Sequence, residues 1–172
     1  PTYALRLAEV GRQEFPEEPP PRLRAIIVAG EPGGSIPATR KLLETAWPGA
    51  RIIDHHGMTE VGPVTYECPE RPGRLHLIES AYLAEVLDPK TRFPVAPGEI
   101  GELVLTTLTR TASPLLRYLT GDLVRLGPEQ VCSCGRSERF LEGGILGRAD
   151  DMVVVRGVNL YPGAVEAVVR AF

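Results

Sequence analysis

No apolar run in the chain approaches the roughly 18 residues needed to span a bilayer, and its N-terminus lacks the basic-then-apolar pattern of a signal peptide. A cytoplasmic protein is the expectation. An excess of positive charge is also missing. Lys and Arg number 19 against 22 Asp and Glu, a net charge of −3, so there is no electrostatic footprint for nucleic acid. Cysteine is scarce, and three residues in a chain without an export pattern exclude a disulfide framework. There is no internal repeat and no low-complexity tract. What remains, 43% hydrophobic and 24% charged residues over 172 positions, is ordinary for a globular domain with a core, or a domain with an attachment.

The most conspicuous stretch is "DHHGMTE", comprising Asp54, His55, His56, Gly57, Met58, Thr59 and Glu60. Two imidazoles, two carboxylates, a hydroxyl and a glycine crowd a short loop that covers little apolar surface. Thr59 can donate to a phosphate oxygen, and Glu60 can hold magnesium, which takes oxygen ligands and bridges to substrate phosphates. Gly57 lets the backbone approach a ligand or take positive φ. The alternative is a polar turn between a strand and the next domain, since loops are where polar clusters ordinarily go.

Taken in order, residues 3 to about 12 carry Tyr3, Leu7 and Val10 at helical spacing. The proline-rich "EFPEEPPP" cannot continue that helix and reads as a surface connection. "LRAIIVA", ending at Ala29, is a short β-branched run, the pattern of a strand covered on both faces, and is broken by Gly30, Glu31, Pro32, Gly33 and Gly34. Ser35 is placed to cap a helix reaching about Trp47, with Pro37 in its first turn. A second strand over residues 51–54 completes a strand, helix, strand unit. Such units are parallel, and ligands bind outside the carboxyl ends of their strands. Gly30, Glu31 and Pro32 share that edge with the loop from Asp54 to Glu60.

From Gly62 onward the texture is short strands divided by turns: "GRLHLIE", "LAEVLD", "GELVLTTL", "LLRYLTGDLVRL" and "RFLEGGIL". This predicts a small antiparallel barrel or sandwich. Residues 152–155 read as a further strand and residues 162–171 as the opening of a helix with Val165, Val168 and Val169 on its apolar face.

"RYLTGDLV" sets Arg117, Tyr118, Thr120 and Asp122 around a glycine, and a carboxylate there can accept both vicinal hydroxyls of a ribose. A Gly-Asp hairpin turn is the plainer alternative. "GRADDMVVVRGVNLYP" puts Arg148, Asp150, Asp151, Arg156 and Gly157 between the strand-rich part and the last helix, in the form of a hinge.

"AGEP", "HGMTE", "GELVLTTL", "RYLTGD" and "GRADDMVVVRGVNLYP", in that order, resemble the adenylate-forming superfamily, most closely its phenylacetate-coenzyme A ligase branch. The resemblance covers nearly the whole chain. It implies an α/β fold: a parallel βαβ unit of a larger nucleotide-binding domain (1–66), an antiparallel, barrel-like β-rich subdomain (67–147), and a hinge with the start of a small C-terminal lid (148–172). It implies that Gly30, Glu31 and Pro32 line the adenine pocket, that Thr59 contacts the α-phosphate, and that Glu60 is the magnesium ligand. Asp122 is similar to the ribose-binding aspartate, Arg148 to an arginine on ribose or phosphate, and Asp150 to the hinge residue. Gly157 lies where relatives line the pantetheine channel. The implied chemistry joins a carboxylic acid to AMP at the expense of ATP, releases pyrophosphate, and passes the acyl group to coenzyme A. That first step needs charge neutralisation at phosphate more than a general base.

Three departures accompany the resemblance. His56 stands where the family usually has tyrosine, and can stack on adenine or titrate near neutrality. The glycine-rich phosphate loop belongs upstream of Pro1, and the lid lysine expected to serve adenylation belongs beyond Phe172. Pro1 directly precedes one helical pattern and Phe172 falls inside another, so the chain reads as a piece of a longer protein that should not turn over alone.

Cys68, His76, Cys132 and Cys134 form a second constellation, Cys-x7-His plus Cys-x-Cys, which supplies the ligands of a closed tetrahedral zinc site. Three reduced thiols and a histidine are the alternative. His55 and His56 are poor metal ligands, because adjacent side chains rarely point the same way. The leading expectation is thus a fragment of an ATP-dependent aryl-acid coenzyme A ligase. The others are a relative that loads a cofactor or protein, and a non-catalytic zinc-stabilised nucleotide-binding module.

Overall fold

The chain's parallel unit is made by two strands whose carboxyl ends finish level. β1 (Ala25–Val28) pairs with β2 (Arg51–Asp54) in the register Ala25↔Arg51 to Val28↔Asp54. In the computed structural model, which describes residues 1–19, 21–31, 33–128, 130–151, 153–155, 158–160, 165, 168 and 169, this pair is the one parallel pairing; the other sheets are antiparallel. The fold is therefore mixed α/β, with antiparallel sheet predominating. α1 (Thr2–Glu14) and α2 (Pro37–Ala46) pack on one face of the pair.

α2 begins with Pro37, whose missing N–H would be an orphan there in any case. It ends where Trp47 leaves helical geometry, donating its backbone N–H to Leu43 O at 2.9 Å and its indole N–H to Ala4 O of α1 at 3.0 Å. Leu43, fully buried against Val28 and Ile52, anchors the helix to the strands, a burial worth about 1.5–3 kcal/mol.

Two expectations are corrected here. Ser35 does not cap α2: the N-cap is Ile36, which makes no side-chain cap, and the Ser35 hydroxyl turns instead to Asp54 on β2. Nor is β1 covered on both faces. Its alternation puts Ile26 and Val28 toward the helices and leaves Ile27 67% exposed, because the described residues put no layer on the other side.

The strand-rich part has a strand at each of the five expected runs and adds four short ones that lie outside them. β3 (Gly57–Met58) and β4 (Gly62–Pro63) form a minimal hairpin that carries Thr59 and Glu60 at its tip. β5 (Thr65–Glu67), β6 (Arg74–Leu77) and β10 (Phe140–Glu142) make a three-stranded sheet in the order β10-β6-β5. β7 (Tyr82–Leu87), β8 (Ile100–Thr107), β9 (Tyr118–Arg125) and β11 (Gly147–Arg148) make a four-stranded one in the order β11-β9-β8-β7. Leu75 and Leu77 from the first sheet and Leu103, Leu105 and Val124 from the second fill a common core, each pair two residues apart on one face. An isolated bridge between Leu126 and Leu141 joins the two sheets.

Beyond β11 the expected strand is present as β12 (Val153–Val155), and it gains a partner that sequence reading did not supply, β13 (Val158–Leu160), antiparallel from Val153↔Leu160. Residues 165, 168 and 169 are helical; the remainder of the expected final helix, with Met152, lies outside the described residues. No helix among the described residues is long and apolar enough to cross a membrane.

Candidate functional site: a cleft where four segments meet

A cleft of about 500 Å³ opens at the carboxyl edge of β1 and β2. Its walls come from the β1–α2 loop (Gly30, Glu31, Gly33, Ser35, Ile36), the stretch after β2 (Asp54 and His55 through Glu60), β9 (Tyr118, Thr120, Asp122), and the approach to β11 (Ile145, Gly147, Arg148), with Leu75 between them. The parallel register brings the first two together. The antiparallel register Arg148↔Asp122 brings the last two together.

Asp54 ends β2, buried, and accepts the Ser35 hydroxyl at 2.5 Å. Burial pushes its carboxyl above the ordinary range, against the pull of Ser35 and of Arg40. The β1–α2 loop is drawn in to meet it. A Cβ on Gly34 would stand 2.4 Å from Asp54 Cγ and 2.6 Å from a Val28 methyl, so only glycine fits. Glu31 faces the cleft from that loop while accepting the Thr2 N–H at 2.8 Å and the Thr2 hydroxyl at 2.6 Å.

His56 is held by its backbone: its N–H donates to Thr65 Oγ1 at 2.8 Å, and its carbonyl accepts from Val64 and Thr65. Its ring is inserted beside Asp122, with Nε2 3.3 Å from Oδ2 but out of line for a hydrogen bond, so Nε2 has no such partner among the described residues. Burial pushes the imidazole pKa down further than the Asp122 carboxylate raises it, with His55 and Arg148 also pushing down. The ring is therefore neutral at pH 7. Gly57 does not take positive φ. Its missing Cβ instead lets β3 press on β4, since a Cβ would meet Gly62 O at 2.9 Å and Pro63 Cα at 3.1 Å. Thr59 and Glu60 project from the hairpin tip, exposed and on the cleft wall.

Asp122 is 6% exposed. Burial raises its pKa, opposed by His56 and Arg148. Arg148 donates from Nη1 to Asp122 Oδ1 at 3.2 Å and to Thr120 O at 3.1 Å, and from Nε to Asp150 Oδ1 at 3.1 Å. The guanidinium passes directly over Gly121, whose φ of +77° and lack of a side chain make room for it; a Cβ there would be 2.7 Å from Nη2. Asp150 does not line the cleft and acts on it through Arg148. Pro32 and Gly157 lie outside the described residues.

The cleft therefore gathers every other expected nucleotide-site residue except Asp150: Gly30, Glu31, Asp54, His55, His56, Gly57, Thr59, Glu60, Asp122 and Arg148. Sequence reading missed its apolar lining. Ile36, Met58, Leu75 and Ile145 present hydrocarbon beside the polar groups. Leu75 had no signal of its own, being one of several leucines in a period-2 strand.

The second constellation also assembles. The ligand atoms of Cys68, His76, Cys132 and Cys134 all lie within 4.8 Å of one another. Burial pushes the Cys68 thiol up. Burial acts the same way on Cys132, but the Cys134 N–H, the Arg74 guanidinium and the neighbouring thiols bring it down to about 5.

No family model matches the chain. Phenylacetate-coenzyme A ligase of Thermus thermophilus is 43% identical over 173 residues, covering 99% of this chain and 38% of that protein. Phenylacetate-coenzyme A ligase of Escherichia coli is 37% identical over 175 residues, covering 100% of this chain and 38% of that protein. Among solved structures, 2-hydroxyisobutyryl-CoA ligase in its postadenylation state, in complex with R3-HIB-AMP, matches with a TM-score of 0.89 and 34% identity over 99% of this chain and 36% of its own. The chain thus spans little more than a third of the length of these relatives.

Proposed function

Because the chain belongs to the adenylate-forming superfamily of acyl- and aryl-coenzyme A synthetases, we propose that it is the nucleotide-site portion of an ATP-dependent aryl-acid ligase of the phenylacetate type. In the full-length protein the acid's carboxylate attacks the α-phosphate of ATP, pyrophosphate leaves, and the thiol of coenzyme A then takes the acyl group from the acyl-adenylate and releases AMP. The observation that carries this reading is the convergence of residues 30–36, 54–60, 118–122 and 145–148 on one cleft.

Its lining supports division of labour on a nucleotide. Ile36, Met58 and His56 offer faces to a base, with Gly30 and Glu31 at its edge. Asp122, with two carboxylate oxygens and Arg148 and Thr120 beside it, suits the vicinal diol of a ribose. Thr59 offers its hydroxyl to the α-phosphate. Arg148 is tied to both Asp122 and Asp150, so rotation about Asp150 would release its Asp150 contact and leave the guanidinium with Asp122. Gly157 is assigned to the pantetheine channel by resemblance alone.

The lining carries Glu31, Asp54, Glu60 and Asp122 against one permanent cation, Arg148, among the described residues. A polyphosphate would be repelled by such walls without added positive charge. Glu60, exposed and making no ion pair among the described residues, is the oxygen ligand that fits magnesium, which supplies charge neutralisation at phosphate.

The test is pyrophosphate release by the full-length protein with ATP, magnesium and a panel of phenylacetate, benzoates and fatty acids, with and without coenzyme A. Release with phenylacetate and not with fatty acids, followed by a thioester only when coenzyme A is added, is expected. Release without a thioester would move the acceptor to another cofactor or a protein. Silence with every acid would leave a non-catalytic binding module.

A further inference from the structure

Cys68, His76, Cys132 and Cys134 take no part in the chemistry above, yet they are the most convergent group of metal-ligating atoms among the described residues. We infer that they hold a structural zinc ion, and that this ion, acting through Glu67, steadies the wall of the nucleotide cleft. The ion itself is argued from the four ligands alone; its effect on the cleft rests on the ligase reading.

Two ligand-to-ligand distances match the edges of a zinc tetrahedron. Zinc bonds of about 2.3 Å to sulfur and about 2.05 Å to nitrogen imply ligand edges of about 3.8 Å for S···S and about 3.6 Å for S···N. Cys68 Sγ and Cys132 Sγ are 3.7 Å apart, and Cys134 Sγ and His76 Nε2 are 3.4 Å apart. A disulfide, at about 2.05 Å, is far shorter than the first of these distances.

The surroundings fit a metal as well. His76 is fully buried, stacked on Tyr66 and edge-on to Phe140, and its Nδ1 lies 3.1 Å from Glu138 O. That contact fixes the tautomer with the proton on Nδ1, leaving the Nε2 lone pair toward the sulfurs, as a zinc-bound histidine requires. Three thiolates and a zinc ion carry one net negative charge. Arg74 Nη1 at 3.4 Å from Cys132 Sγ and Arg136 Nη1 at 3.9 Å from Cys134 Sγ are placed to offset it. The protein supplies all four ligands of a tetrahedral ion and leaves no position open for water or substrate, so the site is a closed structural one.

The ion would join the β5–β6 hairpin to the loop that precedes β10, adding to the strand pairing and to the contacts of His76 with Glu138 and of Arg74 with Cys132. Its reach toward the cleft runs through the residue before Cys68. Glu67 is buried; it accepts Asp54 N–H at 3.3 Å and Gly73 N–H at 2.8 Å and pairs with Arg40, which in turn donates to Gly34 O at 3.0 Å and Ile52 O at 2.8 Å. Freeing Cys68 frees Glu67, and with it the ends of β1 and β2 that carry the two ligand loops.

The experiment uses the full-length protein prepared under reducing conditions without chelator. Metal analysis should find about one zinc per chain, released when the thiols are titrated with a mercurial. Stripping should lower the melting temperature and weaken AMP binding by about tenfold, the usual size of coupling between two sites, and added zinc should restore both. Cys134→Ser should lose the metal, and the strip-and-restore measurement stands even if that variant fails to fold. Less than about a tenth of an equivalent, with no uptake from added zinc, overturns the site. Full zinc and a restored melting temperature with unchanged AMP affinity overturns its effect on the cleft. AMP failing to bind the zinc-loaded protein overturns the nucleotide reading and with it the effect on the cleft, while the metal content still supports the site.

Discussion

Glu67→Ala probes the point where the parallel unit meets the antiparallel part. Glu67 is 8% exposed, and its carboxylate serves Gly73 N–H, Asp54 N–H and the Arg40 guanidinium together. Arg40 is near enough to the surface to find water once its partner is gone. The two backbone N–H groups are buried and have no alternative acceptor in reach among the described residues. Each orphaned donor costs about 1–3 kcal/mol, so the substitution should remove about 3 kcal/mol once water entering the vacated space has recovered part of the loss. For a chain of this size that is a fall of roughly 6–12 °C in melting temperature. Urea unfolding followed by circular dichroism reads the free energy directly. Glu67→Gln keeps one acceptor oxygen, enough for Gly73 N–H, and sets its amide N–H2 group against the Asp54 N–H, so it orphans one donor and should cost about 1–2 kcal/mol, less than the alanine. An alanine loss below about 1 kcal/mol, or a glutamine loss as large as the alanine one, would refute the reasoning.

Gly57→Ala must push β3 off β4, because the atoms it meets are backbone atoms of Gly62 and Pro63; a stability loss of about 1–3 kcal/mol with weakened nucleotide binding is expected, and an unchanged nucleotide affinity would separate the hairpin from the site. His56 has its pKa lowered by burial in the folded state, so the unfolded chain takes up that proton first as pH falls through about 6.5. Stability held by neutral His56 is therefore present above that pH and lost as pH falls toward the depressed folded value. His56→Gln removes this loss, so wild type should fall relative to the variant between about pH 7.5 and 5.5; a constant difference would contradict the burial argument.

Much of this was legible in the sequence because it rested on period. β6 through β10 each fall on a predicted run, with β7 and β8 starting one residue before theirs, and the β1-α2-β2 unit follows from two β-branched runs around a helix. The cleft was legible to the extent that it rests on topology, since two loops after parallel strands must share an edge. What was hidden depended on partners distant in sequence. Ser35 before Pro37 has the local form of a cap, and only the level ends of β1 and β2 put Asp54 closer to it than the helix N–H groups. Gly57 in a polar loop reads as a ligand contact, whereas its close neighbours are Gly62 and Pro63 of its own hairpin. Glu67 gave no signal, because it lies outside every run read as a strand and an isolated glutamate reads as solvent-facing. Here it turns inward to bind Arg40 and two backbone donors.

The proposal that the cleft reads a ribose through Asp122 is tested most directly by calorimetric binding of AMP and of 2′,3′-dideoxy-AMP to the full-length protein and to its Asp122→Asn variant. Removing both hydroxyls should weaken binding to the wild type by about tenfold or more, about 1.4 kcal/mol, and should make little further difference in the variant. An equal loss in both proteins, or none in either, would contradict it.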